Sequence, residues 1–130
     1  MFPRSSGILL HPSSLYGKYG IGTLGNSAIE FIDFLDRSNQ KLWQVFPLGP
    51  TGYGDSPYQC FSAFAGNSYL IELENLINLG LLETADADKA ELGSDPESID
   101  YGLLYKNKLP LLRKAYENYK KAYELDKTNS

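Results

Sequence analysis

The residues of this chain best suited to chemistry lie in one loop, Gly49-Pro50-Thr51-Gly52-Tyr53-Gly54-Asp55-Ser56-Pro57-Tyr58-Gln59. A sugar ring has an apolar face of C–H groups and an edge of hydroxyls. A tyrosine ring can lie under the face while its phenol meets the edge. Tyr53 and Tyr58 are therefore read as sugar contacts, with Ser56 and Gln59 as short-range donors and acceptors. Asp55 can accept a sugar hydroxyl or cap its own turn. His11, at the end of an apolar run, is either a ligand contact or a structural histidine. Cutting a glycosidic bond calls for two carboxyl groups, about 5–5.5 Å apart when configuration is retained. The loop offers one, Asp55. Asp33 and Asp36 belong to a predicted helix, and the acidic run at 83–100 has no apolar pocket to raise a carboxyl pKa. The residues thus predict sugar contact without an acid/base pair.

The elements that must hold this loop follow from hydropathy patterning. Gly7-Ile8-Leu9-Leu10, stopped by Pro12, predicts a fully buried first strand, and Leu42–Phe46 a second. Between them Ala28, Phe31, Ile32 and Leu35 repeat at helical spacing, widened by Ile29 and Phe34. Ser27 and Glu30 read as a capping box at the helix start, and the helix should end near residues 37–39. Strand, helix, strand is a βαβ unit with parallel strands. His11 and the loop then share the C-terminal end of the strands, where ligands of α/β folds gather.

Downstream, Phe61 and Phe64, three apart as on one helical turn, are expected to pack the loop down, and Tyr69-Leu70-Ile71 to be extended. Leu73, Leu76 and Ile77 predict a helix ended by Gly80. Asp100 is placed to cap a last helix. On it Tyr105, Leu109, Leu112, Tyr116, Tyr119 and Tyr123 form a stripe expected to pack with its hydroxyls at the rim, and Pro110 should kink or divide it. Residues 72–100 carry nine acidic side chains against one lysine, and residues 101–127 seven basic against three acidic, so the two segments are expected to face each other.

Composition bounds the function. At 130 residues, 42% hydrophobic and 22% charged, the chain has enough apolar material for one core. Net charge is −4 and the basic residues form no stripe across the whole, which speaks against nucleic acid. No apolar run has transmembrane length, no signal-like segment opens the chain, and Cys60 has no internal disulfide partner. These features give expectations of no membrane partner and a reducing, cytoplasmic setting. Cys60 reads as a partly buried small hydrophobe. One histidine and one cysteine give no metal cluster, and the glycines at 20–25 lack the spacing of a nucleotide loop.

Several stretches resemble the N-terminal part of the 4-alpha-glucanotransferases, also called amylomaltases or disproportionating enzymes (glycoside hydrolase family 77). They are residues 6–15, 19–22, 61–67 and 99–115 and, most specifically, the run from Gln40 through Trp43-Gln44-Val45-Phe46-Pro47-Leu48 to Gln59. The chain departs from the family at Tyr16 and Ser68, where proline is usual. The resemblance implies an α/β chain forming the N-terminal fragment of a (β/α)8 TIM barrel with a helical insertion. Residues 1–70 would be the first βαβ unit with the substrate loop, and 71–130 a mainly helical insertion. It implies transfer of α-1,4-glucan segments to the 4-hydroxyl of an acceptor sugar, through a glycosyl-enzyme intermediate with retention and without a cofactor. Maltose and maltooligosaccharides would be its ligands. Tyr58 would line the subsite of the glucose about to be transferred, Ser56 would lie beside it, and Tyr53 would stack on the glucan further out. The family's essential carboxylates come from later strands with no counterpart here, and a plain barrel takes about 250 residues. The 130-residue chain is therefore expected to be inactive alone, and a second chain carrying the rest of the barrel is a candidate partner. Two other readings compete: a non-catalytic glucan-binding module, and an interaction protein using the tyrosine-rich last helix.

Overall fold

The structure, a computed structural model, describes residues 3–128. Strand β1 (Gly7–Leu9) pairs in parallel with β2 (Leu42–Gln44), in the register Gly7↔Leu42, Ile8↔Trp43, Leu9↔Gln44. Helix α1 (Asn26–Arg37) joins them, so the βαβ unit stands as expected. Side chains alternate across a strand. Ile8 and Trp43 therefore share one face, and Leu9, Leu42 and Gln44 the other. The first face is covered by α1, with the Phe31 and Trp43 rings 5.0 Å apart and edge-on. The second is bare: Leu9 and Leu42 are more than half exposed. The expectation of fully buried strands is thus overturned, because a parallel pair needs cover on both faces and finds it here on one.

Helix α1 also starts differently from the capping-box reading. Its N-cap is Gly25, with no side-chain cap, and Ser27 lies inside the first turn. The Glu72 carboxylate sits where a Gly25 Cβ would be and accepts a hydrogen bond from Thr23 Oγ1. A distant anion thus takes the place of a local cap at the positive end of the helix dipole. The predicted helix end is found. Asn39 N–H bonds the Asp36 carbonyl and Gln40 N–H the Leu35 carbonyl, with Asn39 at φ 54°. That is a Schellman motif with asparagine in the left-handed position.

From Ser68 on, the regular elements of the described chain are helical. Ser68–Leu70 is a 3₁₀ turn capped by Asn67, not the extended piece expected, because the Asn67 side chain accepts the Tyr69 N–H. Helix α2 (Leu73–Asn78) ends as predicted at Gly80, with Gly80 N–H on the Ile77 carbonyl and Leu81 N–H on the Leu76 carbonyl. Helix α3 (Thr84–Lys89) follows. Asp100 caps α4 (Tyr101–Leu103) by accepting from Leu103 N–H. The backbone then passes through a π-helical turn, Leu104–Lys108, into α5 (Leu109–Thr128) without leaving helical angles. Pro110 therefore does not divide the helix. It has no N–H to give the Lys106 carbonyl, and the wider turn just before it absorbs the mismatch.

The core is built from Tyr19 and Ile21 of the first loop together with Leu73, Leu82, Ala87, Leu92 and Leu104. Gly20 makes this possible: its φ is +77°, and a Cβ there would strike the Leu92 carbonyl. The acidic and basic segments do face each other, with Lys114 Nζ 2.6 Å from Asp86 Oδ2 and Asn118 Nδ2 3.0 Å from the Leu81 carbonyl. The last helix, however, turns Leu104, Lys108 and Ala115 inward, while Tyr105, Tyr116, Tyr119 and Tyr123 stay exposed. The tyrosine stripe is the outer face. The pattern misled because a lysine and an alanine hold two of the buried positions.

Lys108 is fully buried, its Nζ 2.8 Å from the Tyr69 carbonyl. Burial pulls its pKa down to about 8, and the Glu72 carboxylate opposes that shift. Because the folded value lies below the unfolded one, the unfolded chain binds more protons between pH 8 and 10. Stability should therefore rise with pH across that window, by up to about 3 kcal/mol. Above pH 10 the Tyr69 and Tyr101 phenols, pushed up chiefly by burial, reverse the trend. Urea unfolding at pH 7.5 and 9.5 should show the rise in the wild type and not in Lys108→Met; an equal rise in both would assign it to another group. Gly20→Ala should cost about 2–3 kcal/mol in the same assay, from a strained φ and a displaced Leu92 backbone.

Candidate sugar-binding site

Parallel register brings the first two site residues together. Two residues beyond the paired Leu9 and Gln44 stand His11 and Phe46, whose ring centroids are 5.7 Å apart. Tyr58 comes over from the loop to lie 5.3 Å from Phe46. His11, Phe46 and Tyr58 thus form an aromatic row across the strands' C-terminal ends. Phe46 was missed as a site residue, having been read only as the end of a strand. Its position opposite His11 in a parallel pair was the available signal.

The loop is closed at its base by an antiparallel bridge between Thr51 and Cys60. Cys60 is half-buried, as expected; its thiol donates to the Ser62 carbonyl at 2.8 Å, and its Sγ fills the space where a Gly49 Cβ would lie. The Asn67 N–H bonds the Leu48 carbonyl at 2.8 Å and anchors the loop to the helical segment. Within the loop Asp55 sits at φ 52°, its N–H on the Gly52 carbonyl and its carboxylate accepting from Thr51 Oγ1 at 3.3 Å. These are the bonds of a turn cap. Ser56 is half-buried and its carbonyl accepts the Gln59 N–H, while Gln59 itself is exposed. Tyr53 is fully exposed and Tyr58 72% exposed, so each ring keeps a face open to solvent. Phe61 and Phe64 are exposed as well, and do not pack the loop down. Ser62 Oγ accepts the Phe64 and Ala65 N–H groups, and this bend turns both phenyl rings outward in place of a helical turn.

His11 Nδ1 is buried without a hydrogen-bond partner, and burial lowers the imidazole pKa below 6.5. At neutral pH the ring is uncharged, with one nitrogen accepting and one donating. A neutral sugar hydroxyl suits such a group better than a charged ligand does. A cavity of about 790 Å³ lies elsewhere: Ser13, Tyr16, Lys18, Asp95, Glu97 and Tyr101 help line it, and none of the six candidate residues does. The aromatic row is an open shelf.

Comparison with known proteins identifies the family of this α/β chain. The family model of glycoside hydrolase family 77, 4-alpha-glucanotransferase, matches residues 10–130, and the chain belongs to that family. It is 52% identical over 119 residues to the 4-alpha-glucanotransferase of Streptococcus pneumoniae serotype 4, covering 92% of this chain and 24% of that protein. It is 56% identical over 110 residues to the enzyme of Clostridium butyricum, covering 85% of this chain and 23% of that one. Among solved structures, the amylomaltase from Streptococcus agalactiae in complex with acarbose superposes with a TM-score of 0.87 at 46% identity, over 92% of this chain and 24% of that one. The chain spans about a quarter of the length of these relatives.

The sign for His11 is the same as that for Lys108, in a lower pH window. Its lowered pKa means the unfolded chain takes up a proton first, so its contribution to stability is present above pH 6.5 and is lost as pH falls through the folded value. The imidazole resonances should titrate with a midpoint below 6.5 in the folded chain. A midpoint at or above 6.5 would mean the ring is solvated or paired.

Proposed function

We propose that this chain is the N-terminal part of a 4-alpha-glucanotransferase, contributing one sugar-binding wall of a (β/α)8 barrel enzyme that passes α-1,4-glucan segments to the 4-hydroxyl of an acceptor. Residues 1–70 supply the first βαβ unit and the substrate loop, and residues 71–130 a helical insertion. The observation that carries the reading is the aromatic row His11–Phe46–Tyr58 at the strands' C-terminal ends, in a chain of this family. In this reading the exposed Tyr58 ring takes the C–H face of the glucose to be transferred. Ser56 and the neutral His11 meet its hydroxyls, and Tyr53 and Gln59 meet the glucan further out. Asp55, whose carboxylate accepts from Thr51 Oγ1 and whose N–H bonds the Gly52 carbonyl, holds the turn that carries Tyr58 and keeps acceptor capacity for a sugar hydroxyl. The carboxylates that break and re-form the glycosidic bond come from the remainder of the enzyme. No helix among the described residues is long and apolar enough to cross a membrane, and a glucan-processing role in the cytoplasm is part of the proposal.

The test separates binding from chemistry. The 130-residue chain, incubated with maltotriose, should release no glucose and build no longer dextrins. Isothermal calorimetry with maltoheptaose should register weak binding, reduced about 3–10-fold by Tyr58→Ala and less by Tyr53→Ala, in line with ~0.5–1.5 kcal/mol for a stacked aromatic. Disproportionation at enzyme-like rates, or binding indifferent to Tyr58, would refute the proposal.

A further inference from the structure

Both ends of the sugar loop return to one residue, Asn67. At the start of the loop the Leu48 carbonyl accepts the Asn67 N–H at 2.8 Å. At its end the Cys60 thiol donates to the Ser62 carbonyl, and Ser62 Oγ accepts the N–H of Ala65, which leads through Gly66 to Asn67. Asn67 is in turn fixed by the 3₁₀ turn it caps. Its side chain accepts the Tyr69 N–H at 2.9 Å and its carbonyl the Leu70 N–H at 3.1 Å. The tip of the loop leans the same way. After burial, the Asp55 carboxylate is the next cause that raises the Tyr69 and Tyr101 phenols, so its charge lies within reach of that ring pair.

The turn at 68–70 is therefore the root of the loop, and three elements hold it. Leu24 N–H bonds the Leu70 carbonyl at 3.0 Å, the Tyr101 ring lies 6.0 Å from that of Tyr69, and Lys108 Nζ donates to the Tyr69 carbonyl at 2.8 Å. The first is a neutral hydrogen bond and the second a ring contact. The third is charge-assisted, and its donor is fully buried. Any drift of the Tyr69 carbonyl would leave a buried ammonium without its acceptor, which is costly. For packing alone, an apolar side chain of similar volume would serve the core as well or better. The directional bond of a lysine does something packing does not: it fixes where the turn sits. We infer that Lys108 is a positioning residue for the sugar site, acting through the Tyr69 carbonyl and Asn67 to set the place of the loop that carries Tyr58. The inference rests on the proposed function for what the loop binds, and on this run of hydrogen bonds for the link.

Calorimetry with maltoheptaose on the 130-residue chain tests it, alongside urea unfolding and amide spectra of the labelled protein. At pH 7.5 Lys108→Met should stay folded, bind about threefold more weakly and shift the amides of residues 53–59. Lys108→Gln, which keeps an N–H donor, should lose less. Leu82→Ala, a core truncation outside this run of bonds, should lower stability and leave affinity and the loop amides unchanged. Asn67→Ala combined with Lys108→Met should bind no more weakly than Asn67→Ala alone, since both cut one connection. Unchanged affinity in folded Lys108→Met, additive losses in the double variant, or an equal loss in Leu82→Ala would overturn the inference and leave Lys108 a core role alone. Affinity indifferent to Tyr58→Ala would instead refute the sugar site. The loop amides then decide the link by themselves: shifted in Lys108→Met they uphold it, unmoved they overturn it.

Discussion

One buried cation holds the two parts of this molecule in register. Lys108 reaches from the last helix through a fully enclosed path to the Tyr69 carbonyl. The opposing anion, Glu72, takes the Thr23 hydroxyl and lies against the start of α1. A buried ammonium without a partner is costly, so the helix, the 3₁₀ turn at 68–70 and the first loop must keep their mutual positions for that charge to be tolerated. Breaking one side leaves the other uncompensated, which makes the link specific even where it adds little net stability.

The sugar loop hangs from this arrangement. Two residues before Tyr69, Asn67 caps the turn and gives its N–H to the Leu48 carbonyl at the loop's base. Thr51 and Cys60 close the loop, and the left-handed Asp55 sets its tip. The result is a tyrosine ring presented beside Phe46 and His11 with its outer face free. The site is rigid at its root and bare at its surface. In the proposed function this ring grips a neutral sugar by its C–H face and leaves bond-breaking to other groups of the enzyme.

Much of this was legible in the sequence where a local rule decides the outcome. Asn39 and Gly80 end helices because left-handed backbone is needed there, and Asp100 caps the last helix because its side chain reaches the Leu103 N–H. The βαβ unit and the placement of His11 and the loop at one end followed from patterning and parallel topology. The misses share a different cause: each depended on a partner distant in the chain. Ser27 and Glu30 have the spacing of a capping box, but the carboxylate at that helix start is Glu72. The tyrosines of the last helix have the spacing of a buried stripe, but the core is met by Leu104, Lys108 and Ala115. The strands read as buried because their side chains are apolar, yet covering them requires elements this chain does not supply. Phe46 escaped notice for the same reason, since its role appears only once β1 and β2 are set side by side.

The central claim is that glucan is held by the shelf at the strand ends and not by the exposed tyrosines of the last helix. Titrating the isotopically labelled chain with maltoheptaose and following its amide and aromatic resonances tests this most directly. The account predicts shifts concentrated at Tyr58, Ser56, Tyr53 and the His11 ring. Shifts confined to Tyr116, Tyr119 and Tyr123 would contradict it.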